Sequence, residues 1–383
     1  MYKIATLNKI SPVGLRELTD AYEMTEQTDA ADAIIVRSFK MHEMEFGKEL
    51  KAIARAGAGT NNIPVDRCAE EGIVVFNTPG GNANSVAELA VGAMLEVSRN
   101  MPAANVWANG LEGDVAKAVE KGKSQFAGHE IAGKKIAVIG LGHVGKLVAN
   151  KAAALGMNVS AYVRTPRHVA GLQPEIEVFT DLEPVIEGAD FVSIHVPSNA
   201  DNKGMVNAEM IDKMKDGAIF LNFARADLVD EPAMLAALKE GKLSRYVTDF
   251  PNENLVGKEG VQLLPHLGAS TEESEERCAA MAVKELREYM EKGNIVNSVN
   301  FPGVNLGDLP QGGARLCLLG TDVPALKVAA DAAAREGGAK VLHIVAAEKK
   351  GQAACLADIS EPQDAQAMMA ALEGKVARAR LIG

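Results

Sequence analysis

An apolar run, Lys135-Ile136-Ala137-Val138-Ile139, leads straight into Gly140-Leu141-Gly142-His143-Val144-Gly145, then into a helix-like stretch over 146–155 and a second strand-like run over 158–163. Few patterns constrain a chain more tightly. Strand, glycine turn, helix and strand make one βαβ unit, and two parallel strands need such a crossover between them. Each glycine has its own task. Gly140 makes the tight turn, Gly142 lets the backbone approach a pyrophosphate, and Gly145 allows helix and strand to pack closely. The helix start then offers unpaired N–H groups and a positive dipole end to phosphate oxygens. Gly140, Gly142, His143, Val144 and Gly145 therefore read as a dinucleotide cradle, because the flanking strand and helix set the motif apart from a merely structural glycine turn.

An Asp or Glu about 20 residues further on would hold the adenosine ribose hydroxyls. Ala161-Tyr162-Val163-Arg164-Thr165-Pro166-Arg167-His168 stands there instead. Val163 offers no side-chain acceptor, whereas Arg164, Arg167 and His168 bring positive charge, and an Arg near this place is how such sites accommodate a 2′-phosphate. A solvated loop whose arginines touch nothing is the plainer alternative. The implied cofactor is NAD, with NADP left open.

A chain of 383 residues exceeds the usual size of one core and implies two or three domains. Its net charge of −11 argues against sequence-independent nucleic-acid binding, which needs a basic face. An anionic substrate would have to meet a local cluster of Arg or Lys. The four cysteines, Cys68, Cys278, Cys317 and Cys355, have no paired spacing and read as buried free thiols in a reducing compartment, with no metal site. No charged-then-apolar leader opens the chain and no apolar run approaches 18 residues. The expectation is a cytoplasmic protein with neither membrane nor nucleic-acid partner.

Short apolar runs over 3–7, 33–36, 52–55 and 73–76 alternate with helix-like stretches such as 11–20, which predicts an α/β fold with a parallel sheet. Ligands of open α/β sheets sit outside the carboxyl ends of the strands. Arg37, Ser38, Lys40, Arg55 and Asn82 lie at three such ends and are candidates for holding an anion. A long helix with small residues follows over 85–95, suited to close packing within the chain or against a second subunit. The polar stretch 100–133 reads as a connection. Buried strands resume at 191–197, 218–225, 246–250 and 261–264. Ser270 with Glu273 has capping-box spacing and opens an amphipathic helix to about residue 292. The last eighty or so residues follow a βαββαβ pattern: strands at 314–319, 340–347, 352–359 and 376–382, helices at 322–335 and 363–372, with Asp322 as N-cap and Gly337-Gly338 as stop. The predicted domains are a discontinuous substrate domain (1–98 and 280–301), a dinucleotide domain (99–279) and a ferredoxin-like module (302–383).

Three further strand-end residues have complementary chemistry. Removing hydride from an alcohol needs a base for the hydroxyl proton, and histidine suits that work at neutral pH. His266 precedes a helix start whose dipole disfavours an imidazolium. A carboxylate such as Glu253 would orient the ring and offset that. Arg225 can grip a carboxylate through two parallel hydrogen bonds and polarise the oxygen beside it. A lone loop histidine or strand-end arginine is usually a capping or salt-bridge residue; the nucleotide fold is what favours the triad. His195 follows a buried strand and would line the adenine side through its backbone, with Val196 and Pro197.

The chain resembles the D-2-hydroxyacid dehydrogenases. The matching segments are Val36-Arg37-Ser38, Arg55-Ala56-Gly57-Ala58-Gly59-Thr60-Asn61-Asn62-Ile63, Asn77-Thr78-Pro79-Gly80-Gly81-Asn82, residues 140–145 and 222–229, Phe250-Pro251-Asn252-Glu253, and Pro265-His266-Leu267-Gly268-Ala269-Ser270-Thr271. They fall in the family's order across nearly the whole of the first 300 residues. The resemblance implies that Arg225, Glu253 and His266 are the catalytic set. It further implies that Arg37, Lys40, Arg55 and Gly57 lie near the substrate's phosphate and carboxylate, that Ala224 and Gly268 adjoin the cofactor, and that Asp249 approaches the nicotinamide amide. The implied fold is two Rossmann- or flavodoxin-like parallel-sheet domains plus a small amino-acid-sensing (ACT-like) module. The implied reaction is oxidation of 3-phospho-D-glycerate to 3-phosphohydroxypyruvate, at the entry to serine synthesis, by a homodimer or homotetramer.

Departures from the family pattern keep two rivals in view. Val163 stands in place of Asp, Ala226-Asp227 in place of the usual residues after the arginine, and the loop after Glu253 is short and lacks the usual proline. Gly320-Thr321-Asp322-Val323-Pro324-Ala325 departs from the serine-sensing pattern at two positions. An NADPH-dependent glyoxylate or hydroxypyruvate reductase is one rival. A dinucleotide-sensing corepressor or scaffold is the other.

Overall fold

Alternating apolar runs and helical turns build the first sheet. In the computed structural model, which describes residues 1–165 and 169–383, β1 (Tyr2–Leu7), β2 (Tyr22–Thr25), β3 (Ala33–Val36), β4 (Ala52–Arg55) and β5 (Val74–Asn77) line up as β2-β1-β3-β4-β5. Every pairing is parallel. β3 is buried at all four positions, which explains its unbroken apolar run. The helix expected over 11–20 shrinks to α1 (Pro12–Leu15), where Gly14 lies against the backbone of Ala279 and Ala280. The chain then turns into β2, an edge strand half of whose residues are exposed and which carries no apolar run to announce it. α2 (Val65–Glu70) joins β4 to β5.

α3 (Ala83–Ser98) is longer than expected, and the stretch read as a connection holds α4 (Met101–Asn109) and α5 (Val115–Gly122). Neither of these two helices buries a residue, so no apolar stripe marked them. A seven-stranded parallel sheet follows. It contains β6 (Lys135–Ile139), β7 (Asn158–Tyr162), β8 (Glu177–Phe179), β9 (Phe191–Ile194), β10 (Ala218–Asn222), β11 (Leu243–Thr248) and β12 (Val261–Leu263), in the order β12-β11-β10-β9-β6-β7-β8. Its helices are α6 (His143–Ala154), α7 (Glu183–Ile186), α8 (Ala208–Asp212) and α9 (Glu231–Glu240). Strand order reverses between β6 and β9. At such a switch point the connections leave in opposite directions and open a crevice at the carboxyl edge.

α10 (Glu272–Lys292) starts one residue later than the capping-box reading implied. Thr271, not Ser270, is the N-cap: its hydroxyl accepts from the Ser274 N–H at 3.2 Å. The end of the chain is the ferredoxin-like βαββαβ module: β13 (Gly313–Gly320), α11 (Val323–Glu336), β14 (Val341–Lys349), β15 (Gln352–Ser360), α12 (Ala365–Ala370) and β16 (Arg378–Ile382), with antiparallel order β14-β15-β13-β16. Asp322 caps α11 as expected, accepting from Ala325 N–H at 2.6 Å. Lys350 and Gly351, with φ of 52° and 76°, make the two-residue hairpin turn.

Met1–Asn82 and Thr271–Gly383 form one compact unit, and Ala83–Ser270 forms the other. In the first, one apolar core runs from Ile4, Ile35 and Phe76 through Leu286 and Tyr289 of α10 to Leu319, Leu356 and Ile382 of the module. The polar keystone of that unit is Arg315, with no exposed surface. Its guanidinium holds Asp358 through two bonds of 2.6 and 3.2 Å and donates to the carbonyls of Lys292, Gly307 and Asp308 at 2.8–3.0 Å. A buried charge is tolerable only when paired and hydrogen-bonded this fully. Arg380 likewise donates to the carbonyls of Tyr289 and Met290. All four cysteines are free and buried. No described helix is long and apolar enough to cross a membrane.

Glu285 on α10 is 6% exposed. One carboxyl oxygen accepts from Asn297 Nδ2 at 2.7 Å and the other has no partner among the described residues. Burial pushes this carboxyl up from 4.5 to about 8, against the opposing pull of the Asn297 bond. The folded chain thus keeps a proton that the unfolded chain releases, so this contribution is whole below 4.5 and is lost as pH rises through 8. Glu285→Gln should match the natural chain in urea unfolding near its acid plateau, and exceed it by about 1–4 kcal/mol above the raised pKa.

Candidate functional site

The glycine turn after β6 has the shape its spacing implies. Gly140 adopts φ 97°. A Cβ at Gly145 would strike the Gly140 carbonyl oxygen, so helix and strand meet at a distance only glycine allows. No described residue lies within 4 Å of where a Gly142 side chain would begin. α6 has no side-chain cap and no acidic residue in its first turn, which leaves the N–H groups of His143, Val144 and Gly145 to an outside acceptor.

Beside the turn lies a cleft of about 310 Å³, lined among others by Gly140, Gly142, Val163, Arg164, His195, Val196 and Pro197. Val163 is buried and its N–H donates to Phe179, so it serves the sheet and the core. Arg164 is exposed and pairs with Asp201 at 3.7 Å. Arg167 and His168 lie outside the described residues. His195 continues the ladder through its N–H to the Ile139 carbonyl, and its Nε2 lies 2.8 Å from the Ser193 hydroxyl. Burial lowers its imidazole to about 4, which keeps it neutral.

The triad residues all belong to the Ala83–Ser270 unit. Arg225 follows β10, placed by the buried Asn222, whose amide donates to the Arg225 carbonyl at 2.9 Å and accepts from the Ala224 N–H at 3.1 Å. His266 has φ 51°, a left-handed conformation that side chains rarely take, and such strain collects at functional positions. Its N–H donates to the Asp249 carbonyl at 3.1 Å, and its ring meets the Phe250 ring edge-on, centroids 5.2 Å apart. Asp249 is 2% exposed. Burial pushes its carboxyl up, while His266, the Gly268 N–H at 3.2 Å and Arg225 pull it down. Its Oδ1 has no partner among the described residues. His266 and Arg225 thus share the field of one buried carboxylate. Glu253 is exposed and forms no side-chain hydrogen bond or ion pair with any described residue, His266 included.

The anion candidates belong to the other unit. Arg37 Nη1 pairs with Glu275 of α10 at 2.6 Å. Asn8, itself at φ 73°, accepts from the N–H groups of Ser38 and Phe39 at 2.9 and 2.6 Å. Asn62 donates to the Phe39 carbonyl at 2.9 Å, and Arg55 Nε to the Arg37 carbonyl at 3.1 Å. The Arg55 guanidinium covers Gly57, at φ 150°, so closely that any side chain there would displace it. Lys40 is exposed and Asn82 half-buried. Sequence reasoning missed Asn8, Glu275, Asn222 and the orphaned oxygen of Asp249. An Asn directly after a strand is a cue for Asn8, because asparagine tolerates the left-handed region; Glu275 has no local signal.

A nicotinamide dinucleotide fits these residues. The open side of Gly142 admits a pyrophosphate, the uncapped helix start supplies donors, and the bare Asp249 Oδ1 can accept from an amide.

The model of the D-isomer specific 2-hydroxyacid dehydrogenase NAD-binding domain matches residues 91–268. The D-3-phosphoglycerate dehydrogenase of Methanocaldococcus jannaschii is 34% identical over 80% of this chain and 59% of its own length. The hydroxypyruvate reductase of Thermotoga maritima is 36% identical over 69% of this chain and 86% of its own. The crystal structure of NAD⁺-bound 3-phosphoglycerate dehydrogenase from Entamoeba histolytica superposes with a TM-score of 0.62 at 28% identity, covering 78% of this chain and 98% of that one. The chain spans only 54–60% of the length of the first three phosphoglycerate dehydrogenases it matches.

Gly142→Val should leave thermal unfolding unchanged, since the new side chain meets no protein atom within 4 Å of its root. It should weaken NADH binding at least about tenfold, read by nicotinamide fluorescence titration, because the valine occupies the space a pyrophosphate needs.

Proposed function

Because the chain belongs to the D-isomer-specific 2-hydroxyacid dehydrogenase family, we propose that it oxidises 3-phospho-D-glycerate to 3-phosphohydroxypyruvate, with a nicotinamide dinucleotide as hydride acceptor. One observation carries this reading: the open dinucleotide cradle stands in the same unit as Arg225 and as His266, whose N–H is tied to the carbonyl of the buried Asp249.

When bound, the nicotinamide supplies the acceptor for the hydride that leaves C2. His266 takes the C2 hydroxyl proton as the carbonyl forms. Glu253, whose carboxylate bonds to no described residue, would stabilise the resulting imidazolium and orient the ring once it reaches it. Arg225 grips the substrate carboxylate through two parallel N–H donors and polarises the C2 oxygen. Asp249 Oδ1 would accept a hydrogen bond from the carboxamide of the cofactor. On the substrate side, Arg37, Ser38, Lys40, Arg55, Gly57 and Asn82 serve the phosphate and carboxylate, with Asn8 and Asn62 holding the 37–40 loop in shape. The module over 302–383 regulates the enzyme or pairs subunits. Its Asp322 is already committed to capping α11.

A second reading has an observation of its own. No carboxylate follows β7, and Arg164 lines the cleft; both favour a 2′-phosphate and hence a glyoxylate or hydroxypyruvate reductase using NADPH.

Steady-state kinetics of 3-phosphoglycerate oxidation with NAD and with NADP, and of glyoxylate and hydroxypyruvate reduction with NADH and with NADPH, separates the two. The dehydrogenase reading expects the phosphorylated substrate to be preferred, and equal or better turnover of glyoxylate with NADPH overturns it. His266→Ala should lower kcat by about 10²–10⁴-fold with dinucleotide affinity retained; near-full activity removes the histidine from its role.

A further inference from the structure

Glu253 sits in a loop with little to hold it. Residues 251–259 are exposed except for half-buried Asn252 and buried Leu255, and no proline follows Glu253. Among the described residues, one side chain from elsewhere in the chain hydrogen-bonds to this loop: Glu231, in the first turn of α9. Its Oε2 accepts from Asn252 Nδ2 at 2.6 Å and its Oε1 from Asn254 Nδ2 at 2.7 Å. Both ends of the Asn252 amide are then engaged, because its Oδ1 accepts from the N–H groups of Asn254 and Leu255 at 2.9 and 3.1 Å. The two asparagines flank Glu253 on either side.

The other end of this connection is equally anchored. Glu231 lies six residues after Arg225, past Leu228, which is fully buried. Leu228 and Leu255 belong to the same apolar core. Asp230 caps α9 by accepting from the Ala233 N–H at 3.1 Å, which fixes where the Glu231 side chain departs. Only a carboxylate can accept from both asparagines at once; a glutamine offers one acceptor and turns a donor toward the second amide.

We propose that Glu231 is a positioning residue, whose carboxylate clamps Asn252 and Asn254 and so holds Glu253 in register with the segment that carries Arg225. The inference rests on the reading of Glu253 as the partner of His266 given above. The clamp does not touch substrate or cofactor. It acts by setting where the Glu253 carboxylate stands, and displacement of a catalytic group by about 1 Å can cost about 10²-fold.

The test is the pH profile of kcat/KM for 3-phosphoglycerate oxidation in the full chain, with Glu253→Gln as reference. Removing the Glu253 charge leaves the imidazolium less stabilised, so the acid limb of the reference moves to lower pH. Glu231→Gln should move the limb the same way and lower kcat about ten- to a hundredfold, with the KM for dinucleotide unchanged. Asn254→Ala, at an exposed position, breaks one of the two bonds and should fall between. The double variant Glu231→Gln/Asn254→Asp reverses the direction of that bond, with the glutamine amide donating to the new carboxylate, and should recover both the limb and kcat. A limb that stays in place in Glu231→Gln and Asn254→Ala, while Glu253→Gln moves it, overturns the clamp and leaves the catalytic reading intact. A reference variant with an unmoved limb and full turnover overturns both. Loss of kcat without rescue by the double variant marks Glu231 as merely structural and overturns the proposal.

Discussion

A carboxylate with almost no water around it has to find its partners inside the protein, and Asp249 finds only some of them. The Gly268 N–H reaches one oxygen, the Arg225 guanidinium supplies positive charge nearby, and the second oxygen has no partner among the described residues. The neighbouring chain is arranged about this group. The β11 strand delivers it at its carboxyl end, and His266 turns into the left-handed region with its own N–H tied to the Asp249 carbonyl. The absence of a side chain at Gly268 lets the chain pass within reach of both Asp249 and Val86. A group held in this partly satisfied state costs stability, and such cost is ordinarily tolerated where a ligand completes the set.

The same logic runs through the nucleotide cradle. Its donors are backbone N–H groups at an uncapped helix start, and its openness is the missing side chain of Gly142. Neither feature depends on a long side chain finding the right rotamer. Both follow from the chain path between β6 and α6, which explains how a six-residue glycine pattern can specify them.

Legibility in the sequence tracked this distinction. β3 and β4 were readable to the residue, because the buried positions of a parallel strand have to be apolar, and only Arg55 at the end of β4 is not buried. β2 and β8 were not, since three-to-four-residue edge strands with half their surface in water carry no such run. α4 and α5 escaped notice for the matching reason, having no buried stripe. In the candidate site, the residues whose chemistry is their own, such as Arg225, His266 and the glycines, could be named from type and position at strand ends. Those that act by contact could not. Asn8 reaches residue 38, Glu275 reaches Arg37 and Glu231 reaches Asn254 only after folding has brought distant stretches together. The absence of any bond between Glu253 and His266 was equally invisible, since spacing alone says nothing about which way a loop side chain turns.

The C-terminal sheet shows what a buried ion pair does to mechanics. Arg315 is locked to Asp358 within its own sheet and, through the Lys292 carbonyl, to the last turn of α10. At the opposite end of that helix Glu275 grips Arg37, and Arg277 donates to the Gly81 carbonyl at 3.1 Å. Twenty-one helical residues make a rod about 30 Å long. Such a rod resists bending, so the sheet and the loop that carries Arg37 are bolted to the two tips of a single strut. Tilting one tip levers the other, without any chain of intervening side chains to relay the motion.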